Sequence, residues 1–200
     1  YDADKINKEI IVRNSKKGES FEALDNKKYT LQNNMCAITD KSGVLGLGGI
    51  IGGTRSGTEF STKNILLESA YFYPSSTRKT GKILNIDTDA KYRFDRGIDP
   101  NSVQIGLELG MCMILDLCGG EASKFSIVGK LKGKRKAIDL ELEKFPKVIG
   151  LSITSSEIKK ILSSLGCSLK TSGKKIKVLA PSWRPDIKED IDLIEELTRI

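Results

Sequence analysis

Four carboxylates lie close together near the end of the chain: Asp186, Asp192, Glu195 and Glu196. On a helix the last three share one face, because residues three and four apart are neighbours on the helix surface. Carboxylate oxygens are the ligands that a hard cation such as Mg2+ takes in proteins. The same spacing also suits an acidic helix start favoured by the helix dipole, with Lys188 and Arg199 softening the repulsion. The spacing alone leaves both interpretations open.

A second charged cluster surrounds Gly97, just before a helix start at Pro100. Its arginines and carboxylates are Arg93, Asp95, Arg96 and Asp99. The guanidinium fork of arginine suits carboxylates and phosphates, so the cluster can form the polar wall of a pocket. A local network of salt bridges around a helix cap explains the same residues, and this alternative stays open.

Glycine is concentrated in one run, which comprises Gly46, Gly48, Gly49, Gly52 and Gly53. A G-x-G-x-x-G motif that starts at Gly46 would need glycine where Ile51 stands, and no G-K-[ST] occurs, so the run is neither a dinucleotide fingerprint nor a P-loop. Close packing of backbone accounts for the glycines. The functional alternative is that a substrate's ribose or ester lies against bare backbone.

Composition excludes several classes of protein. The chain has no histidine and its four cysteines form no C-x-x-C pair, so a structural zinc site is disfavoured and we expect buried, reduced thiols. No apolar stretch is long enough to span a membrane. The net charge of +7, from 33 Lys and Arg against 26 Asp and Glu, fits contact with phosphates.

Short elements alternate along the first part of the chain. We predict strands at residues 9–13 and 35–40, and a hairpin over residues 21–31 that turns at Asp25-Asn26. A strand is predicted for residues 64–72, a mostly apolar segment that carries Glu68. Helices follow at residues 75–84 and 102–117, the second of them stopped by Gly119-Gly120.

The last part of the chain reads as a separate unit. An amphipathic helix after residues 155–157, a hairpin over residues 167–179, an extended proline-flanked segment at 181–185 and a final helix from about residue 188 are predicted. We therefore predict an α+β protein with a mixed α/β domain at residues 1–128, a basic connector at 129–137 and a small α+β domain at 138–200. We expect the first domain to be incomplete at its N-terminus and the second to be cut at its C-terminus.

Several of these stretches together resemble one protein family. They are residues 1–6, 46–53, 64–72, 88–100, 118–120 and 181–200. In order and in sequence they resemble the beta subunit of bacterial phenylalanyl-tRNA synthetase, over essentially the whole chain. The resemblance implies a tRNA-editing domain followed by a small winged-helix-like domain.

The resemblance also implies a function. In this family the alpha subunit uses ATP to activate phenylalanine, so no ATP site is expected in this chain. The beta subunit supports aminoacylation of tRNA(Phe) and its central domain hydrolyses mischarged tyrosyl-tRNA(Phe). The implied assembly is cytoplasmic, with two alpha and two beta chains, and DNA and membranes are not expected as partners.

Site residues follow from the same resemblance. Asp95 matches the position of a family glutamate associated with the tyrosine hydroxyl, and Arg93, Arg96 and Gly97 flank it. The glycines at 48, 49, 52 and 53, with Glu68, are the expected substrate-binding residues. The four carboxylates at 186, 192, 195 and 196 match a Mg2+ motif near the alpha subunit, which is expected to share the ion.

Two departures from the family pattern bear on editing. Asp95 is one methylene shorter than the family glutamate, and the histidine that is common in the family's pocket has no counterpart in this chain. The rival hypothesis is therefore a scaffold and tRNA-binding module with a degenerate editing site.

Overall fold

The computed structural model describes residues 1–129, 136–173 and 175–200. It divides into two units, Tyr1–Lys124 and Phe125–Ile200. The division falls a few residues before the predicted boundary at 128. The predicted connector at 129–137 lies mostly outside the described residues.

The first unit is built on a four-stranded antiparallel sheet in the order β1–β4–β5–β6, with a separate hairpin of β2 and β3. Its strands are β1 (Ile11–Asn14), β2 (Ser20–Glu22), β3 (Lys28–Thr30), β4 (Cys36–Asp40), β5 (Gly43–Leu47) and β6 (Ile51–Gly52). The hairpin and the strands predicted at 9–13 and 35–40 are present, with bounds that shift by a few residues. Apolar residues of β4 and β5 are buried, which places one core beneath the sheet.

Three helices complete the first unit: α1 (Pro74–Leu84), α2 (Asp89–Phe94) and α3 (Ser102–Cys118). Pro74 is the first residue of α1. A backbone amide at this position has no hydrogen-bond partner within the helix, so proline, which lacks the amide hydrogen, is tolerated there. The Thr88 side chain caps α2 by accepting a hydrogen bond from the Lys91 amide. Gly119 ends α3 with a positive φ, as its position in the sequence predicted.

The strand predicted for residues 64–72 is wrong. An isolated bridge between Asp2 and Ile65 and a few backbone hydrogen bonds to residues 1–3, among them that from the Leu66 amide to the Tyr1 carbonyl, tie this segment to the start of the chain without forming a strand ladder. Its apolar side chains at 65–67 are exposed, so no buried face holds a longer ladder in register. The segment is extended backbone that runs beside the first residues of the chain.

Where the structure describes it, the second unit has a three-stranded antiparallel sheet in the order β7–β9–β8, with three helices. Its elements are β7 (Ile138–Glu141), α4 (Lys144–Ile149), α5 (Ser155–Ser164), β8 (Ser168–Ser172), β9 (Lys175–Leu179) and α6 (Asp190–Thr198). A capping box between Thr154 and Glu157 starts α5, whose Ile158 and Leu162 enter the core with Leu193 and Ile194 of α6. The predicted order of helix, hairpin and helix is observed.

Two further expectations can be compared with the structure. Within the described residues, no helix combines the length and the apolar character that crossing a bilayer requires. The expectation of buried thiols is wrong for two cysteines, since Cys112 and Cys118 are exposed on α3 whereas Cys167 is buried and Cys36 partly so. No pattern in the sequence distinguished the buried cysteines from the exposed ones.

Candidate functional site

A cavity of about 540 Å3 lies in the first unit. Its walls come from the β4–β6 part of the sheet, the extended segment at 68–72, and helices α2 and α3. The lining residues are Tyr1, Ile38, Leu47, Gly49, Ile50, Ile51, Gly52, Glu68, Ser69, Ala70, Phe72, Ala90, Phe94, Ile98, Ser102, Val103, Ile105, Gly106 and Leu109. Most of these are apolar, and Glu68 is the one charged residue among them.

The Glu68 carboxylate accepts a hydrogen bond from the hydroxyl of Tyr1, with 2.6 Å between the two oxygens. Burial raises the pKa of Tyr1, and the negative charge of Glu68 raises it further, so the phenol stays protonated and acts as the donor. A tyrosine hydroxyl and a carboxylate are thus paired in the lining of a largely apolar cavity.

Other polar groups around the cavity are occupied by the fold. The Ser69 hydroxyl donates to the Val103 carbonyl at 2.6 Å, which ties the extended segment to α3. The Thr88 hydroxyl donates to the Ile50 carbonyl at 2.7 Å, which ties α2 to the sheet. These bonds fix the walls, and Glu68 is the one carboxylate among the lining residues.

Glycines let the sheet approach the aromatic side chains of the cavity closely. A Cβ on Gly48 would lie 2.4 Å from a ring atom of Phe72, and one on Gly49, where φ is +69°, would lie 2.9 Å from the same ring. At Gly53 a Cβ would lie 2.6 Å from the Leu45 carbonyl oxygen. The structural explanation of the glycine run therefore holds at these positions, since a side chain there would clash.

The acidic motif of the second unit is organised around one arginine. The Arg184 guanidinium donates to both oxygens of Glu196, at 2.7 and 3.1 Å, and to Asp186, at 2.6 Å. These hydrogen bonds hold the pKa values of both carboxyls below their ordinary range. The side chain expected to soften the repulsion, Arg199, is 3.8 Å from Glu196 and lies in solvent.

The remaining carboxylates of the motif have separate roles. Asp192 accepts hydrogen bonds from the backbone amides of Lys188 and Glu189, both at 2.8 Å, and these amides lower its pKa. Glu195 is exposed. In the described part of the chain no group of three or more His, Cys, Asp or Glu residues is placed to hold a metal ion. Carboxylate oxygens suit Mg2+ chemically, but as arranged here they do not fit a shared ion.

Comparison with known proteins decides the family. The sequence model of the B3/4 domain matches residues 1–119, and that of the tRNA synthetase B5 domain matches residues 138–200. The chain belongs to the B3/4 domain family. The cavity therefore lies within the B3/4 domain and the acidic motif within the B5 domain.

Relatives extend this result. The chain is 40% identical over 200 residues to a phenylalanine–tRNA ligase beta subunit of Mesorhizobium japonicum, and 44% identical over 202 residues to that of Rhodospirillum rubrum. Both matches cover all of this chain and 25% of the relative, so the chain spans about a quarter of their length. An N-terminal fragment of the phenylalanyl-tRNA synthetase beta subunit from Pyrococcus horikoshii has 20% identity and a TM-score of 0.48, covering 99% of this chain and 57% of that one. The predicted resemblance to this family is confirmed.

The structure brings together only some of the predicted B3/4 site residues. Gly49, Gly52 and Glu68 line the cavity, whereas Gly48 and Gly53 do not. The prediction also missed several lining residues. The most important of them is Tyr1, whose hydroxyl donates to Glu68 although the two residues are 67 positions apart in the sequence. No local pattern signals such a contact.

The role predicted for Asp95 stays a prediction, and the structure shows where its carboxylate lies. Its carboxylate lies 3.0 Å from the Arg96 guanidinium and 3.7 Å from the Lys91 ammonium, and it is not among the lining residues. Arg96 itself stacks 3.7 Å above the Tyr92 ring. Arg93, Arg96 and Gly97 are likewise absent from the lining. The cluster is thus the local salt-bridge network around helix α2 that the sequence left open as an alternative.

Proposed function

We propose that the B3/4 cavity binds the aminoacyl end of mischarged tyrosyl-tRNA(Phe) and hydrolyses its ester. The observation that carries this proposal is the pairing of Glu68 with a phenol in the lining of a mostly apolar cavity. Apolar walls suit an aromatic ring, and one carboxylate at the end suits its hydroxyl. The complement of the cavity is therefore a tyrosine side chain.

Such a site answers a specific chemical problem. Tyrosine differs from phenylalanine by one hydroxyl, and an apolar activation pocket rejects an added hydroxyl only by about 100-fold. A second site that hydrogen-bonds the hydroxyl prefers tyrosine to phenylalanine, because phenylalanine leaves the carboxylate without that partner. Glu68 supplies this discrimination in the proposal, in place of Asp95.

The hydrolytic step needs little from side chains. A water oxygen adds to the ester carbonyl carbon, the bond to the ribose oxygen breaks, and the ribose oxygen takes the proton, which releases tyrosine and tRNA. The chain has no histidine to act as the base. Burial and the charge of Glu68 raise the pKa of the nearby Cys36 thiol, so Cys36 is a poor nucleophile. Backbone groups at Gly49 and Gly52 and the substrate's own hydroxyls would position the water.

The relatives support a wider proposal for the whole protein. It would be the beta subunit of a cytoplasmic phenylalanine–tRNA ligase, with two alpha and two beta chains, in which the alpha subunit uses ATP and both contact tRNA(Phe). Mg2+ at the carboxylates of the B5 domain stays a prediction. It requires Arg184 to release Asp186 and Glu196, with further ligands from the alpha subunit.

The proposal is tested by hydrolysis of tyrosyl-tRNA(Phe) by the complete enzyme carrying Glu68→Ala. Loss of a hydrogen bond to a charged group costs about 1.5–3 kcal/mol, so we expect kcat/KM to fall about 10- to 100-fold. Glu121→Ala, at an exposed position outside the cavity, is the matched control and should leave the rate unchanged.

Equal hydrolysis by the two variants would remove Glu68 from the site. A native enzyme that does not hydrolyse tyrosyl-tRNA(Phe) would instead support the scaffold and tRNA-binding alternative. The ratio of tyrosyl to phenylalanyl hydrolysis separates recognition from general damage, because only recognition of the hydroxyl changes that ratio.

A further inference from the structure

Glu68 is a long side chain in an exposed position. Holding such a side chain in one rotamer costs up to about 2 kcal/mol of conformational entropy. In the described part of the chain no cation pairs with it, and the hydrogen bond that it accepts comes from Tyr1. The position of this carboxylate therefore depends on the tyrosine.

Tyr1 is itself firmly placed. Its carbonyl accepts a hydrogen bond from the Leu66 amide at 3.0 Å, and the next residue, Asp2, forms a bridge with Ile65. The Asp2 amide also donates to the Ser56 carbonyl at 2.9 Å. The backbone that carries the Tyr1 ring is thus attached to the same extended segment that carries Glu68.

Tyr1 is a wall of the cavity and does not fill it. The cavity of about 540 Å3 lies beside the tyrosine, and this volume falls within the usual range of ligand pockets, roughly 300–1,000 Å3. The hydroxyl of Tyr1 occupies one oxygen of Glu68, Oε2. A carboxylate has about four lone-pair sites, so Oε1 can accept a second phenol at the same time.

We propose that Tyr1 is a positioning residue that sets the specificity of this cavity: its hydroxyl holds Glu68 so that the free oxygen accepts the hydroxyl of a tyrosyl substrate. The inference rests on the proposed function, since it concerns the same carboxylate. A substrate without a hydroxyl would gain nothing from this arrangement.

The test uses the complete enzyme with Tyr1→Phe, which removes one oxygen and keeps the ring. We expect KM for tyrosyl-tRNA(Phe) to rise about 5- to 10-fold, as for loss of a single hydrogen bond, with kcat little changed. Hydrolysis of phenylalanyl-tRNA(Phe) should stay the same. Tyr73→Phe is the matched control, because Tyr73 is 62% exposed and does not line the cavity.

A binding measurement separates recognition from hydrolysis. The probes are 3′-tyrosylamino-3′-deoxyadenosine and its phenylalanyl counterpart, whose amide bonds resist hydrolysis. Tyr1→Phe should weaken binding of the tyrosyl probe alone. The same substitution should have no further effect in an enzyme that already carries Glu68→Ala, because the two side chains act as one unit.

The possible outcomes are distinguishable. If Glu68→Ala abolishes discrimination and Tyr1→Phe leaves it intact, the role of Tyr1 is wrong and the proposed function stands. Tighter binding of the tyrosyl probe by Tyr1→Phe would show that Tyr1 competes with the substrate, which overturns the positioning role. If Glu68→Ala has no effect, the role of Tyr1 falls with that of Glu68, whereas the proposed hydrolysis itself falls only if the native enzyme does not hydrolyse tyrosyl-tRNA(Phe).

Discussion

Glu68 in the B3/4 domain and Glu196 in the B5 domain differ in burial and in hydrogen-bond partners. Glu68 is exposed, lines a mostly apolar cavity and accepts a hydrogen bond from a neutral phenol. Glu196 is 8% exposed and both of its oxygens are held by Arg184. Asp186 shares the same guanidinium, so one arginine donates hydrogen bonds to two acidic groups at once.

The difference shows that burial alone does not tell which carboxylate is available to a ligand. A bidentate guanidinium supplies both charge and matched geometry, and a carboxylate paired in this way has little capacity left for a ligand. A carboxylate held by one neutral donor keeps its charge and most of its acceptor sites. By this criterion Glu68 has acceptor sites left for a ligand, as the proposed function requires, whereas both oxygens of Glu196 are occupied.

The largest effect in a test of this contrast between Glu68 and Glu196 is expected from the removal of Arg184. Arg184→Ala would leave Glu196 buried without its partner, and we expect the B5 domain to lose about 3 kcal/mol of stability. Urea unfolding followed by fluorescence measures this locally, because Trp183 is the single tryptophan of the chain. It adjoins Arg184 in sequence.

Arg199→Ala is the control for this experiment. Arg199 is 69% exposed and lies 3.8 Å from Glu196, so its removal should cost less than about 1 kcal/mol, as for surface ion pairs. If both variants unfold at the same urea concentration, Arg184 does not hold the acidic motif and the contrast between the two domains fails.

The sequence predicted what local patterns determine. The hairpin at 20–30, helix α1 and the helix that begins after Thr154 follow from turn residues, prolines and caps within a few positions. It did not predict the partners of the carboxylates. Tyr1 reaches Glu68 and Arg184 reaches Glu196 through tertiary contacts, and the sequence favoured nearer cations such as Lys188 for the acidic motif.

The salt-bridge network around Asp95 provides a second, smaller test. Asp95 is 8% exposed, and Asp95→Asn keeps its shape but removes the charge that faces Lys91 and Arg96. We expect a loss of about 1 kcal/mol in the thermal stability of the B3/4 domain, with hydrolysis of tyrosyl-tRNA(Phe) within about twofold of native. Circular dichroism melting and the hydrolysis assay measure the two effects.

The exposed Asp116 on α3 offers the matched substitution, Asp116→Asn, which should change neither quantity. A sharp fall in the ratio of tyrosyl to phenylalanyl hydrolysis by Asp95→Asn, without loss of stability, would return Asp95 to the site. It would also remove the distinction between an available and an occupied carboxylate within the B3/4 domain.

The smallest expected effect is that of Mg2+ on the native chain. A ligand that binds only the folded state stabilises it by RT ln(1 + [L]/Kd), which is about 0.4 kcal/mol when its concentration equals Kd. Because Arg184 occupies Asp186 and Glu196, millimolar Mg2+ should shift the unfolding of the B5 domain by less than this. In Arg184→Ala the same carboxylates lack their cation, and Mg2+ should restore part of the lost stability. Sodium chloride at matched ionic strength controls for screening. An equal Mg2+ shift in the native chain would mean that the arginine yields to the metal, and the acidic motif would then be an available site in the same sense as Glu68.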